Sequence, residues 1–507
     1  MSSSRMPAGL RPMTAMALTV CLCLSLLPGA AWAAPAKPNI VLIVSDDEDV
    51  ASHAFMPKTR ALIEEQGVAF ENFFVTYPLC CPSRASILRG QYAHNTQILG
   101  NELPWGGFKK FRASGLEMST IAPWLQEAGY HTAKIGKYMN RYLPREHAPA
   151  PGWDDWYIGG AKPHDGFNYT LNENGRVVFY GARPQDYVSD VLTGKANGVI
   201  RTAVEAEEPF FVYVLPYAPH LPAVPAPRHR GMFAEIRMPR VPSFDEADVS
   251  DKPVFIRSLT RIDEGRSAYM QDHYRKRLET LQALDDMVEN IVSTLRATGQ
   301  LENTYVIYTS DNGFHLGEHR LPLGKDTVYE EDIRVPMVMR GPGVLEKGRI
   351  DALALNIDLA PTIAEIAGID APDFVDGRSV LPLLLDDRDR PWRESFLIER
   401  RHPEVQLVRL AKKMGLTRQA ILETATFNAI RTRDVIYVEY GTGERELYDL
   451  RQDPHQLVNV VDGADPALVE ALAARMHELE VCSGEKCRSL EDLPILDKPR
   501  QVAAGPG

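Results

Sequence analysis

Pro38-Asn39-Ile40-Val41-Leu42-Ile43-Val44-Ser45-Asp46-Asp47 reads as a buried strand ending in a pair of acids. A continuous apolar run with β-branched residues suits a strand covered on both faces, the setting of a parallel sheet. Thr304-Tyr305-Val306-Ile307-Tyr308-Thr309-Ser310 repeats the pattern and runs into Asp311-Asn312-Gly313. Residues 209–215 form a third such run, leading to Pro219-His220. Between the strands lie helical patterns. Leu278, Leu281, Leu284, Val288, Ile291 and Leu295 recur at helical spacing before Gly299, and residues 121–128 form a shorter candidate. The alternation predicts an α/β fold with its site at the carboxyl ends of the strands.

The chain has 507 residues, 44% hydrophobic and 24% charged, which is enough for a large core and predicts two domains. Its net charge of −12 argues against a nucleic-acid partner, and an anionic substrate would need a local basic pocket. Residues 1–33 read as a secretory signal: Arg5 and Arg11, an apolar run from Met13 to Leu27, then Ala31-Trp32-Ala33 as a cleavage site. The run is short for a membrane span, so export to the periplasm or the medium is expected, with no membrane attachment afterwards. Cleavage would leave Cys80, Cys81, Cys482 and Cys487. The last two enclose a short polar loop without a second cysteine or histidine pair nearby, which predicts a disulfide. Residues 222–266 are rich in proline and charge and read as surface loops. Residues 34–385 are expected to form the catalytic domain. Residues 386–507 are expected to form a smaller α+β domain, with short strands at 395–398, 427–431, 435–438 and 446–450 and a helix over 467–479.

Cys80-Cys81-Pro82-Ser83-Arg84 opens what reads as a helix, with Pro82 at its first position. Cys80 then lies near a helix N-terminus, where backbone N–H groups favour anionic oxygen. Asp46, Asp47, Asp311 and Asn312 offer oxygen ligands at two strand ends, a set that suits a hard cation better than zinc.

The run C-x-P-S-R-A-S-x-L-x-G from Cys80 to Gly90 closely resembles the signature of the type I sulfatases. The resemblance implies an alkaline-phosphatase-like large mixed, mainly parallel sheet flanked by helices. It also implies that Cys80 is oxidised to formylglycine by a formylglycine-generating enzyme. One calcium ion, with magnesium as the alternative, would be held by Asp46, Asp47, Asp311, Asn312 and the modified Cys80. Gly136-Lys137-Tyr138 resembles the family's G-K-W-H element, but Met139 stands in place of the histidine and Asn140 is the candidate replacement. Gly324-Lys325 with Tyr329-Glu330 resembles G-K-x-x-x-Y-E. Cys80, Arg84, Lys137, His220 and Lys325 are thereby expected to be catalytic, and His94, Asn140 and His315 to bind substrate. A hydroxyl of the hydrated aldehyde would attack sulfur, His220 or Lys325 would protonate the leaving oxygen, and the second hydroxyl would then expel sulfate.

Several details resemble the N-acetylglucosamine-6-sulfatase branch: Leu79-Cys80-Cys81-Pro82, Phe167-Asn168-Tyr169-Thr170, Arg275-Lys276-Arg277, Asn356-Ile357-Asp358-Leu359 and Cys482-Ser483-Gly484. They imply a sulfated sugar substrate, such as N-acetylglucosamine 6-sulfate, beside aryl sulfates. The competing expectations are a phosphoester hydrolase of the same superfamily and a non-catalytic protein that binds sulfated glycans.

Overall fold

Alternation along the strand Asn39–Ser45 sets the layers. Ile40, Leu42 and Val44 join one apolar cluster, while Val41 and Ile43 join a second on the opposite face, because successive side chains on a strand point to opposite sides. The computed structural model describes residues 37–385, 391–401 and 426–496. The expected signal segment, residues 1–33, and residues 386–390 at the start of the expected smaller domain lie outside the described residues.

The main sheet has ten strands. In spatial order they are Gly348–Ile350, Val68–Phe70, Met337–Arg340, Thr304–Ser310, Asn39–Ser45, Phe210–Leu215, His131–Gly136, Asp155–Gly159, Tyr169–Glu173 and Arg176–Tyr180. The five strands from Thr304–Ser310 to Asp155–Gly159 are parallel. Antiparallel pairings appear toward both edges, making the sheet mixed. The helices Cys80–Arg89, Ile121–Glu127 and Leu359–Ile366 cover one face. Val188–Glu205 and Glu264–Ala297 cover the other. Leu278, Leu281 and Leu284 are fully buried there, and truncating any one to alanine is expected to cost about 2–5 kcal/mol.

A separate four-stranded antiparallel sheet comprises Ser395–Arg400, Phe427–Thr432, Val435–Tyr440 and Arg445–Asp449. The helix Pro466–Leu479 lays Leu468, Leu472, Met476 and Leu479 against it, and Asp465 caps that helix by accepting from the Ala467 amide. Cys482 and Cys487 form the expected disulfide.

Two helix starts differ from the sequence expectation. Glu264–Ala297 begins well before the apolar period, capped by Asp263, which accepts from the Arg266 amide. Its first turns are largely exposed and so carry no apolar stripe. The other helix begins at Cys80, two residues before Pro82. Proline is tolerated at the third position because the first four helical amides lack intrahelical partners.

Candidate active site

Four parallel strands deliver side chains to one edge of the main sheet. Asp46 and Asp47 follow Asn39–Ser45, Asp311 and Asn312 follow Thr304–Ser310, Lys137 follows His131–Gly136, and His220 lies beyond Phe210–Leu215. Local backbone features hold them there. The Asp46 amide donates to the Ala218 carbonyl, the Asp311 amide to the Ser45 carbonyl, and the Lys137 amide to the Leu215 carbonyl. Gly136 has φ 99°, and a Cβ there would come within 2.1 Å of the Leu215 carbonyl oxygen, so glycine is required beside Lys137. Asp47 adopts φ 71°, a left-handed conformation costly for a non-glycine residue. Buried Arg277 secures it by donating to the Asp47 carbonyl at 2.7 Å and to Asp49 at 3.1 Å.

The carboxylates and cations interlock. The Asp47 amide donates to Asp311 Oδ1 at 3.2 Å, and Asn312 Nδ2 donates to Asp47 Oδ1 at 2.8 Å. Lys137 Nζ donates to Asp46 Oδ2, and Lys325 Nζ to Asp47 Oδ1. Lys325 Nζ also reaches Cys80 Sγ at 2.6 Å, which lies 4.0 Å from Asp47 Oδ1. Asp46, Asp47, Cys80 and His220 each offer a ligand atom, and these four atoms lie within 4.8 Å of one another.

Arg84 Nε lies 3.5 Å from Asp311 Oδ2 and donates to the Cys80 carbonyl at 2.9 Å. Its other donors go to the Tyr138 carbonyl at 2.6 Å and to Asn140 Oδ1. The Asn140 side chain is thus joined to Arg84.

Asp46 Oδ1, Asp311 Oδ2 and Asn312 Oδ1 are buried and accept no hydrogen bond. Unpaired oxygens at such depth are costly, and an all-oxygen donor set fits a hard divalent cation. The residues present therefore fit a metal ion.

Burial acts to raise the pKa of Asp46, but nearby cations, Lys137 foremost, outweigh it and hold the carboxyl well below its usual range. Asp47 is likewise lowered, with Lys325 the chief force opposing burial. Asp311 is pushed up to about 7 by burial and by the Asp46 charge, with Arg84 opposing. Burial raises the Cys80 thiol to about 12 although Lys325 and Lys137 pull it down. The unmodified thiol is therefore protonated near neutral pH and a poor nucleophile.

The rings of His94 and His315, two residues expected to bind substrate, have partners within the fold. The ring nitrogens of His94 meet Glu399 Oε1 at 3.1 Å and the Cys482 carbonyl at 3.0 Å, tying the first sheet's layer to the second sheet. His315 Nδ1 meets the Asp332 carboxylate at 2.9 and 3.0 Å. Its backbone pairs with Gly324, and a Cβ on Gly324 would come within 3.0 Å of His315 Nε2. His315 thus shapes the loop that carries Lys325. Sequence reasoning missed two residues at this edge, Arg277 as the support of Asp47, and His164, whose Nε2 lies 3.5 Å from Asp46 Oδ2. No motif marked His164 in the sequence.

A buried oxygen cluster at the carboxyl edge of a mainly parallel sheet, with cations and a cysteine-bearing helix start around it, fits a hydrolase for anionic esters. The family model described as Sulfatase matches residues 38–369, and the one described as N-sulphoglucosamine sulphohydrolase, C-terminal, matches residues 317–481. The chain belongs to the sulfatase family and is a sulfuric ester hydrolase. It is 35% identical to N-acetylglucosamine-6-sulfatase of Homo sapiens over 480 residues, covering 89% of this chain and 86% of that protein. It is 34% identical to an arylsulfatase of Chlamydomonas reinhardtii over 522 residues, covering 94% and 79%. A structure solved in complex with its substrate, D-glucosamine-2-N,6-O-disulfate, superposes with a TM-score of 0.72 at 23% identity, covering 91% of this chain and 100% of that one. That likeness shows the shared fold. Among the described residues no helix is long and apolar enough to cross a membrane.

Proposed function

We propose that this chain hydrolyses sulfate monoesters of sugars, N-acetylglucosamine 6-sulfate foremost, using Cys80 in its formylglycine form, hydrated to a gem-diol, as nucleophile. One divalent cation, calcium before magnesium, would be held by Asp46, Asp47, Asp311, Asn312 and the modified Cys80. When bound, such an ion acts as a Lewis acid toward the sulfate and the attacking hydroxyl. The observation that carries the reading is the meeting of Cys80 with Asp47 and Lys325 beside three buried oxygens that lack hydrogen-bond partners. The relatives acting on glucosamine sulfates support the sugar assignment.

Lys137, Lys325 and Arg84 offset charge around the sulfate, each such group being worth about 3–4 kcal/mol. His220 donates through Nδ1 to the Leu221 carbonyl at 2.5 Å, which directs Nε2 toward Asp47 Oδ2 at 3.6 Å. With its hydrogen on Nδ1, the neutral ring presents a bare Nε2, so the proton for the leaving oxygen would come from the Lys325 ammonium. Export of the chain, signal cleavage near residue 33, a catalytic domain over 34–385, a smaller domain over 386–507, and maturation by a formylglycine-generating enzyme complete the proposal.

The test is coexpression with that enzyme, followed by mass spectrometry of the Cys80 peptide and assays on 4-nitrophenyl sulfate, N-acetylglucosamine 6-sulfate and 4-nitrophenyl phosphate. Conversion should lighten the peptide by about 18 Da, and both sulfates should be cleaved. A converted protein that cleaves neither sulfate, or that prefers the phosphate, refutes the reading.

A further inference from the structure

We propose that His164 is a positioning residue for sulfate-ester hydrolysis, wedged so as to hold both Asp46 and His220; this rests on the reading above. His164 lies in the short turn Lys162–Asp165, after the strand Asp155–Gly159. Its Nδ1 donates to the Ala161 carbonyl at 2.7 Å. A carbonyl only accepts, so Nδ1 carries the hydrogen and Nε2 is the atom turned inward. That Nε2 is buried, has no hydrogen-bond partner, and lies 3.5 Å from Asp46 Oδ2.

Three contacts fix the ring. It meets Tyr217 edge to face, with centroids 4.9 Å apart at 81°. Tyr217 in turn donates its hydroxyl to the Gly136 carbonyl at 3.0 Å, next to Lys137. On another side the ring lies against His220, with centroids 4.5 Å apart. The third contact is the Ala161 carbonyl.

His164 and His220 repeat one arrangement on successive aspartates. Each directs Nδ1 to a backbone carbonyl and Nε2 to one carboxylate, Asp46 for His164 and Asp47 for His220. Asp46 Oδ2 is thereby flanked by His164 and Lys137, while Oδ1 stays free of hydrogen bonds. With the hydrogen on Nδ1, His164 Nε2 makes no hydrogen bond to Asp46, so the ring acts by filling the space beside Oδ2, which leaves Oδ1 facing the centre of the site. Removing the imidazole would let Asp46 rotate and would unseat His220, without touching the expected nucleophile.

The test compares wild type, His164→Phe, His164→Asn and His164→Ala on 4-nitrophenyl sulfate, after mass spectrometry has shown equal Cys80 conversion. His164→Phe keeps the ring packing and removes the nitrogens, so it should lose less activity than His164→Asn and His164→Ala, which empty the space beside Asp46. The expected result for His164→Ala and His164→Asn is a kcat lower by about tenfold or more with KM within about threefold. Melting temperatures should stay within about 2 °C of wild type, and free imidazole should restore part of the His164→Ala rate. A kcat within about twofold of wild type in folded His164→Ala or His164→Asn, a His164→Phe loss as large as theirs, or a change confined to KM, overturns the inference. If wild type cleaves sulfate esters and the folded variants do so equally, this inference alone fails. If converted wild type cleaves none, the underlying reading fails and this inference goes with it.

Discussion

Replacing Lys325 by methionine keeps the length of the side chain and removes its charge. Its ammonium sits 2.6 Å from Cys80 Sγ and donates to Asp47 Oδ1 in a buried setting. A unit charge about 4 Å from the reacting oxygens, at an effective permittivity near 20, interacts with about 4 kcal/mol. Single preorganised donors removed from such sites cost about 2.7–4 kcal/mol. The expected fall in kcat is therefore about 100- to 1,000-fold. Two side effects need control. Lys325 is the main group holding the Asp47 pKa down against burial, so its loss favours protonated Asp47 and weakens cation binding. It also touches Cys80 and can affect maturation. The assay is thus initial-rate hydrolysis of 4-nitrophenyl sulfate at saturating calcium, corrected for Cys80 conversion by peptide mass spectrometry. A Lys325→Met protein that is fully converted, calcium-saturated and within about fivefold of wild-type kcat would refute the electrostatic role.

His94→Gln is expected to lower stability by about 3 kcal/mol, since it breaks a buried pair, and to leave KM unchanged. Glu399 and the Cys482 carbonyl raise the His94 pKa above 6.5 despite burial, so its contribution is complete below 6.5 and lost as pH rises through the folded value. Glu399 is lowered from 4.5 by His94 against burial, so its contribution is present above 4.5 and lost as pH falls through the folded value. The stability gap between wild type and His94→Gln, measured by urea unfolding, should thus be full between pH 4.5 and 6.5 and shrink as the pH rises above 6.5 or falls below 4.5. Replacing Cys482 and Cys487 by serine opens a loop whose ends are separated by five positions, and chain entropy for so short a loop gives a loss of about 2 kcal/mol, checked by the same unfolding curves. Calcium at about 100 times its Kd should stabilise wild type by about 2.7 kcal/mol; Asp311→Ala should abolish that gain in a thermal shift titration, together with the single equivalent of bound metal.

What the sequence made legible follows from how locally each signal is written. Buried parallel strands such as Thr304–Ser310 are apolar along their whole length, so their ends and the acids beyond them could be read directly. The strands Tyr169–Glu173 and Arg176–Tyr180, toward one edge of the sheet, are partly exposed and lack that run, so they passed unmarked. The same contrast governs the site. Cys80, Arg84, Lys137 and Lys325 lie inside short motifs whose neighbours set their conformation, as Gly136 does for Lys137. His94 and His315 were drawn from neighbourhoods of equal promise, yet their ring nitrogens go to Glu399 and Asp332, partners remote in the chain or set by a later turn. His164 and Arg277 show the converse. Each acts on Asp46 or Asp47 across more than a hundred residues of chain, and a contact of that span is fixed by tertiary packing, which leaves no spacing to read.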